Sequence, residues 1–548
     1  MTSTFPLFTK TRINPPVFPA RAGLSLFMKK ANYTKARFLS CLLLLSAVPL
    51  YGHVTLPAIF SDHMVLQRQM KIPVWGMASP GERVTVTLND QRSDVIADAH
   101  GQWKATLPAM EAGGPYTLTA GGSDTVTIND VLVGEVWLFA GQSNMEWGTG
   151  YVINHDQEIP AANFPQIRLC QVPHTVKDQP ATDVPASWTA CTPDSVFKFS
   201  AVAYFTGREL YKKLNVPIGL IQVSWSGTNI EGWMSQDALL SDPDFQPLQD
   251  RWSKVLQAYP QAKADYDAKL PELTKAWQDA SAAAKAAGKP IPSEPKPPEG
   301  PGSRFSPAGI FNGAIFPLAP FALRGMVWYQ GENNTLWAFL YRKELKALIT
   351  SWRQLWNEGD FPFIVIQLPS AVPLPPTTTS RWAELRESQF KALDLPNTGL
   401  VVTIDLGDPV HHENLHPKNK QDVGLRTALV AEKMAYGADV IASGPTFKTA
   451  TNSGDSLRVQ FENSDGLKTK DGTAVTGFEI AGDDKKYVPA TGTIDGDSVV
   501  LHADGVENPQ TVRYDWANYP DGNIYNGADL PARPFRTDDF PLETVNNK

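Results

Sequence analysis

The chain has 548 residues, too many for one ordinary domain, and at roughly 150 residues per domain it points to two to four. With 42% hydrophobic and 19% charged residues it has the composition of a folded soluble protein. The formal charge is −8 although residues 1–52 carry seven Lys/Arg and no Asp or Glu; the remainder is therefore distinctly acidic, which argues against nucleic acid and anionic membrane surfaces as partners.

The basic amino end explains that asymmetry. From Met28 the chain has basic residues, then an apolar run from about Phe38 to Leu50, then small residues, the pattern of a secretory signal starting at Met28. The run is shorter than the ~20 residues that span a bilayer. The expected location is periplasmic or extracellular, with no membrane attachment once the signal is removed. Beyond it only Cys170 and Cys191 remain, either as a disulfide or as two buried thiols.

Residues 53–130 alternate short β runs with turns, for example "RVTVTL", "GQWKATLP" and "YTLTA", and read as a small antiparallel β domain. From 131 to 441 strand-like and helical runs alternate. Ser200 caps a helix that Asn215 and Pro217 stop, and "IGLIQVSW" follows as a strand. "GMVWYQ", a helix over 342–358, "FIVIQL", "LVVTID" and a helix after Lys420 complete the alternation. The fold class is therefore α/β, with a parallel sheet covered on both faces. A segment of about 240–303 interrupts it, helical at first and then "KPIPSEPKPPEGPG", whose six prolines enforce an extended connection, so it reads as a surface insertion. Residues 442–548 return to β texture and end in the aromatic-rich "YDWANYPDGNIYN".

Four strand ends carry unusual polar residues: "FAGQSNME", "VSWSGTNIEGW", "WYQGENN" and "IDLGDPVHHENLHP". Ends of parallel strands converge on one rim, so distant residues can share a cleft. The inventory suits acyl transfer, with Ser143 as nucleophile, His416 as base and Glu413 as the carboxylate that orients the imidazole. Candidate oxyanion donors are the N–H groups of Ser143 and Gly227 and the side-chain amide of Gln330. Gln142, Asn144, Trp225, Glu332, Asn333 and Arg386 are candidate substrate contacts. Competing readings put Arg386 and Gln389 on an exposed helix face, Trp225, Trp233 and Tyr329 in packing, and Asp405 and Asp408 in turns.

These blocks resemble those of the SGNH hydrolase superfamily and, more narrowly, of the sialate O-acetylesterase family, with relatives among acetylxylan esterases. "FSDHMVLQR" near Phe60, "FNGAIFPLAPFALRG" near Phe311, "LHPKNK" near His416 and "YPDGNIYN" near Tyr519 extend the resemblance over most of residues 55–536. It implies a three-layer α/β/α hydrolase domain flanked by antiparallel β modules, an acetylated carbohydrate as substrate, and no metal or other cofactor. It also implies that Ser143 is the nucleophile, His416 the base, and Gly227 and Gln330 oxyanion donors. Many relatives have Asn-Asp-Ile-His before the proline where this chain has Glu-Asn-Leu-His, so Glu413, Asp405, Asp408 or a backbone carbonyl remains open as the partner of His416.

Two other functions compete. His412-Glu413-Asn414-Leu415-His416 fits H-E-x-x-H, the pattern of a zinc metallopeptidase when it lies on a helix, but Pro417 disfavours a helix there. The third reading is a non-catalytic carbohydrate-binding protein on a hydrolase scaffold. The expectation is an exported serine esterase that removes acetyl groups from sugars.

Overall fold

A computed structural model describes residues 53–372 and 380–547. The expected signal segment lies outside the described residues. The organising element is a 17-residue strand, Thr125–Gly141. Its first part pairs with Gly113–Gly121 and Val65–Gln67 of the amino-terminal β region. From Glu135 to Gly141 it pairs in parallel with Ile218–Ser224, and from Trp137 with Gly325–Tyr329. The expected boundary at 130/131 thus falls inside one continuous strand. The texture changes there because side chains pass from alternating exposure to full burial, not because the chain breaks.

In the α/β part the spatial order of strands is Thr398–Val401, Phe363–Ile366, Gly325–Tyr329, Thr125–Gly141, Ile218–Ser224, Phe164–Gln171 and Trp188–Cys191. All neighbours are parallel except the last pair. The chain first completes one side of the central strand, inserting Ile218–Ser224 next to it last, and then builds the other side outward. This makes the carboxyl end of Thr125–Gly141 a topological switch point, where open α/β sheets form their ligand crevice.

Both sheet faces are covered, as side-chain alternation demands. The Trp137 indole N–H donates to the Tyr436 hydroxyl at the end of the Lys420–Tyr436 helix. Trp328, three register positions further along and so on the opposite face, donates to Tyr341 in the Ala338–Trp356 helix. The Ala201–Leu214 helix has the expected ends, with the Ser200 hydroxyl accepting from Ala203 N–H and Asn215 in the left-handed conformation. The helix expected over 342–358 runs instead over Ala338–Trp356; it begins directly after the turn at Glu332–Trp337 and ends at left-handed Asn357. Leu345, Leu348, Ile349, Trp352 and Trp356 form its buried stripe.

The insertion holds a 41-residue helix, Gln246–Ala286, in which Leu248 alone is buried. The proline-rich return lies back along it, with Tyr266 donating to Pro295 O and Trp277 to Pro292 O. Cys170 and Cys191 are free and buried. Burial pushes the Cys170 thiol far up and that of Cys191 up to about 12. Among the described residues no helix is long and apolar enough to cross a membrane.

The carboxyl-terminal β strands, among them Ser456–Glu462 and Ser498–His502, form their own apolar core. Their last segment returns to the α/β part. Tyr525 donates to Asp405, Tyr519 donates to Asp408 O, and the Tyr519 ring stacks on His412 at 4.1 Å.

Candidate active site

Gly141 aligns with both Ser224 and Tyr329, so three strands end at one level and their loops share a rim. A sharp exit there requires glycine. Gly141 has φ +147°, and a Cβ would lie 2.1 Å from Tyr329 O. The turn delivers Ser143 to the first position of a short helix, Ser143–Glu146, where its N–H has no intrahelical acceptor.

The loop after Thr398–Val401 returns His416 to the same place. Its Nε2 lies 2.7 Å from Ser143 Oγ, so two side chains 273 positions apart in the chain share a hydrogen bond. Trp147 stacks on the imidazole at 5.3 Å and 17°. Burial, and secondarily the Lys420 ammonium, hold the His416 pKa below its ordinary value, which favours the neutral ring that can accept a proton.

The third residue expected from the spacing is not in place. Glu413 is half-exposed and sits 3.5 Å from His411 Nδ1, away from the His416 ring. Asp405 is held by Arg426 at 2.6 and 2.8 Å and by Tyr525. Asp408 acts at one remove. It accepts from Val410 N–H, His411 N–H and Asn414 Nδ2, and Asn414 Oδ1 in turn accepts the backbone N–H of His416. Those donors, the His411 N–H first among them, hold the Asp408 carboxyl down at about 2, so it stays ionised and keeps the loop folded. Among the described residues no carboxylate hydrogen-bonds the His416 ring.

His412 and His416 do not form the face of a helix, because residues 411–419 are turns and bends. His412 faces Pro409 O and Tyr519 while His416 faces Ser143, so the geometry of an H-E-x-x-H zinc site is absent.

The oxyanion candidates separate. Gly227, at φ +66°, has a backbone N–H without an acceptor among the described residues. Gln330 is fully buried, and its amide nitrogen donates to Thr228 O and Asn334 Oδ1, so as a donor to an oxyanion it is corrected to a brace. Most of the expected substrate contacts are braces too. Gln142 Oε1 accepts from Gly331 and Asn333 N–H. Arg386, fully buried, donates to the carbonyls of Leu368, Pro369, Ala517 and Asn518, and lies neither in the cleft nor on an exposed face. Gln389 is likewise internal, bonded to Leu368 N–H, Gln330 O and Ile366 O. Trp233 and Tyr329 are core residues. Asn333 and Trp225 do reach the surface. Asn333 bridges Gly227 O and Asn229 Oδ1, and half-buried Trp225 stacks flat on His174 at 4.4 Å and 2°.

Beneath Ser143 lies a buried network that the sequence did not disclose. Asn144 Oδ1 accepts from Lys420 Nζ at 2.6 Å, and Asn144 Nδ2 donates to Glu332 and to Leu415 O, the residue before His416. Asn144 and Glu332 are therefore structural links between the serine turn and the histidine loop. Burial pulls Lys420 down to about 7 and pushes Glu332 up, so both tend toward their neutral forms. A second link runs from Glu146, whose carboxylate takes His174 Nε2 and the Ser226 N–H and hydroxyl. Burial raises its pKa, yet these bonds outweigh it and leave Glu146 ionised. The signals were Glu146 and Trp147 just after "GQSNM" and Lys420 at the end of "LHPKNK", but each needs its distant partner to be read.

A serine hydroxyl against a histidine on the rim of such a sheet is the arrangement of a carboxylic ester hydrolase, and the comparisons with known proteins agree. The family model described as carbohydrate esterase, sialic acid-specific acetylesterase matches residues 133–265 and 315–435. The sialate O-acetylesterase of Rattus norvegicus is 30% identical over 537 residues, covering 86% of this chain and 92% of the relative. That of Homo sapiens is 28% identical over 524 residues, covering 87% and 91%. The crystal structure of a carbohydrate acetylesterase from Xanthomonas citri is 36% identical, with a TM-score of 0.75 over 89% of this chain and all of that one. The chain belongs to the sialate O-acetylesterase family.

Proposed function

We propose that the chain is a serine esterase that removes O-acetyl groups from sugars through an acetyl-enzyme. The observation that carries this reading is the 2.7 Å contact between Ser143 Oγ and His416 Nε2 at the switch point of the sheet. Ser143 Oγ attacks the acetyl carbonyl carbon while its proton passes to His416 Nε2. The N–H groups of Ser143 and Gly227 stabilise the oxyanion, each donor of this kind being worth about 10²–10³ in rate. Collapse of the tetrahedral intermediate breaks the bond to the sugar oxygen, which takes the proton back from His416. Water, deprotonated by the same imidazole, then attacks the acetyl-Ser143 ester and releases acetate. With no carboxylate hydrogen-bonded to the imidazole among the described residues, Trp147 and the Asp408–Asn414 relay orient it, so the machinery reads as a dyad. The sugar is supported by the family and by half-buried Trp225, which reaches the surface stacked on His174.

The test is acetate release from an aryl acetate in excess chelator, by the wild type and by Ser143→Ala. Activity that survives chelation and falls by orders of magnitude in the variant is expected; a folded Ser143→Ala protein that turns over normally refutes the assignment. We also propose export to the periplasm or the medium, on the basic-then-apolar segment from Met28. Amino-terminal sequencing of the secreted protein should find that segment removed, and an intact segment in a cytosolic fraction would refute it.

A further inference from the structure

The loop that carries Gly227 leaves one orientation to be fixed from outside. Gly227 has φ +66°, and glycine turns to negative φ at little cost, so the peptide plane joining Ser226 to Gly227 is not held by its own residue. The planes on either side are held. Ser226 N–H donates to Glu146 Oε2 at 2.7 Å, with the Ser226 hydroxyl on the same oxygen, and Gly227 O accepts from Asn333 Nδ2 at 3.1 Å. In the plane between them the N–H is the oxyanion donor, so only the carbonyl, Ser226 O, is left to grip. Arg304 takes it, with Nη1 donating to Ser226 O at 3.1 Å.

Arg304 stands where the proline-rich return ends. Its backbone lies in a turn closed by Ser306 N–H to Ser303 O at 3.0 Å and by Phe305 N–H to Ser303 Oγ at 3.1 Å, and Ala308 N–H ties the segment to Glu231 O at 2.9 Å. The guanidinium packs over the Gly227 backbone, where a Cβ would meet Nη2 at 3.5 Å, Cζ at 3.6 Å and Nη1 at 3.7 Å. The Ser226–Gly227 bond is trans, so its C=O and N–H point in opposite directions, and a cation seated on Ser226 O aims the Gly227 N–H the other way. The same charge draws electron density toward the carbonyl oxygen and makes that N–H a stronger donor.

We propose that Arg304 is a positioning residue of the oxyanion hole: by gripping Ser226 O it holds and polarises the Gly227 N–H, so the insertion completes the hole without touching substrate. This rests on the reading of Ser143 as nucleophile and of Gly227 as an oxyanion donor. Glu146 ties the same loop to the Ser143–Glu146 helix, so the donor plane is set between the nucleophile's own helix on one side and the insertion on the other. Residues 266–314 fall between the two segments matched by the family model, so the grip on the donor comes from outside the matched segments.

The test is steady-state hydrolysis of an uncharged aryl acetate by Arg304→Met and Arg304→Lys, together with inhibition by a small boronic acid, which adds to a serine as a tetrahedral anion. Losing an oxyanion donor costs about 10²–10³ in rate and misaiming one costs less, so Arg304→Met should lower kcat about 10- to 100-fold with KM within about threefold. Boronate affinity should fall by a similar factor, because the adduct uses the same donor. Arg304→Lys keeps a cation that can donate to Ser226 O and should recover part of both losses. Thermal unfolding establishes that each variant is folded, with Arg304→Gln read in place of an unfolded Arg304→Met. Wild-type kcat in the folded variant, boronate affinity unchanged while kcat falls, or a Lys variant as slow as the Met variant overturns the role. Ser143→Ala run alongside keeps the two readings apart. Turnover in that variant would sink the serine mechanism and this inference with it, whereas an inactive Ser143→Ala beside a fully active Arg304→Met would sink the positioning role alone.

Discussion

Replacing Asn414 by Ala separates the relay seen in the structure from the triad that the spacing suggests. Asn414 Nδ2 donates to the ionised Asp408 at 2.9 Å, a bond worth about 1.5–3 kcal/mol, and Oδ1 accepts His416 N–H at 3.0 Å, worth about 0.5–1.5 kcal/mol. Together about 2–4.5 kcal/mol hold the segment that carries the imidazole. At about 1.4 kcal/mol per tenfold in rate the ceiling is roughly 30- to 1,600-fold. Water takes over part of both bonds at this half-exposed side chain, so we expect kcat to fall about 10- to 100-fold with KM little changed. Glu413→Gln should stay within about twofold, because its carboxylate contacts His411 and not the catalytic ring. The assay is steady-state hydrolysis of an aryl acetate, with thermal unfolding to establish that each variant is folded. A loss in Glu413→Gln equal to that of His416→Ala, or wild-type turnover in Asn414→Ala, would refute the relay.

Three further outcomes follow from the same geometry. The acid limb of kcat/KM should fall below the free-histidine value of about 6.5, because burial and the Lys420 cation favour the neutral, active imidazole. Lys420→Met removes that cation, so His416 should protonate at higher pH and the limb should move upward; a downward or absent shift contradicts it. Gly141→Ala sets a Cβ 2.1 Å from Tyr329 O at a positive φ that alone costs about 1–3 kcal/mol, so the denaturation midpoint should drop and turnover with it. Arg386→Met leaves the carbonyls of Leu368, Ala517 and Asn518 without their donor, and a loss of about 3–5 kcal/mol in chemical denaturation is expected, against little change if Arg386 faced solvent.

Local features were legible in the sequence. The Ser200 cap and the Asn215 stop are short-range chemistry, and apolar runs ending in Gly-Gln-Ser-Asn or Gln-Gly-Glu-Asn mark strand ends because burial stops there. What failed depends on direction after the strand end. The three-position offset from Glu413 to His416 sets a distance along the chain, but successive turns point the two side chains apart. In "WYQGENN" the sequence does not say which amide faces inward; burial of Gln330 follows from Thr228 and Asn334 closing on it. Arg386 sits on a helix whose outer side is covered by residues 517 and 518, more than 130 positions away, so its own periodicity suggested exposure that the fold removes.

The uninterrupted run from Thr125 to Gly141 gives the amino-terminal β region a standing different from that of a bead on a string. One end of that run is stitched to Gly113–Gly121, and the other ends two residues before Ser143. No hinge separates the two, so a shift in one sheet is carried along a stiff pleated rod into the other. The front module thus serves as the anchorage of the serine turn, and exchange or loss of that module during evolution would re-aim the nucleophile itself.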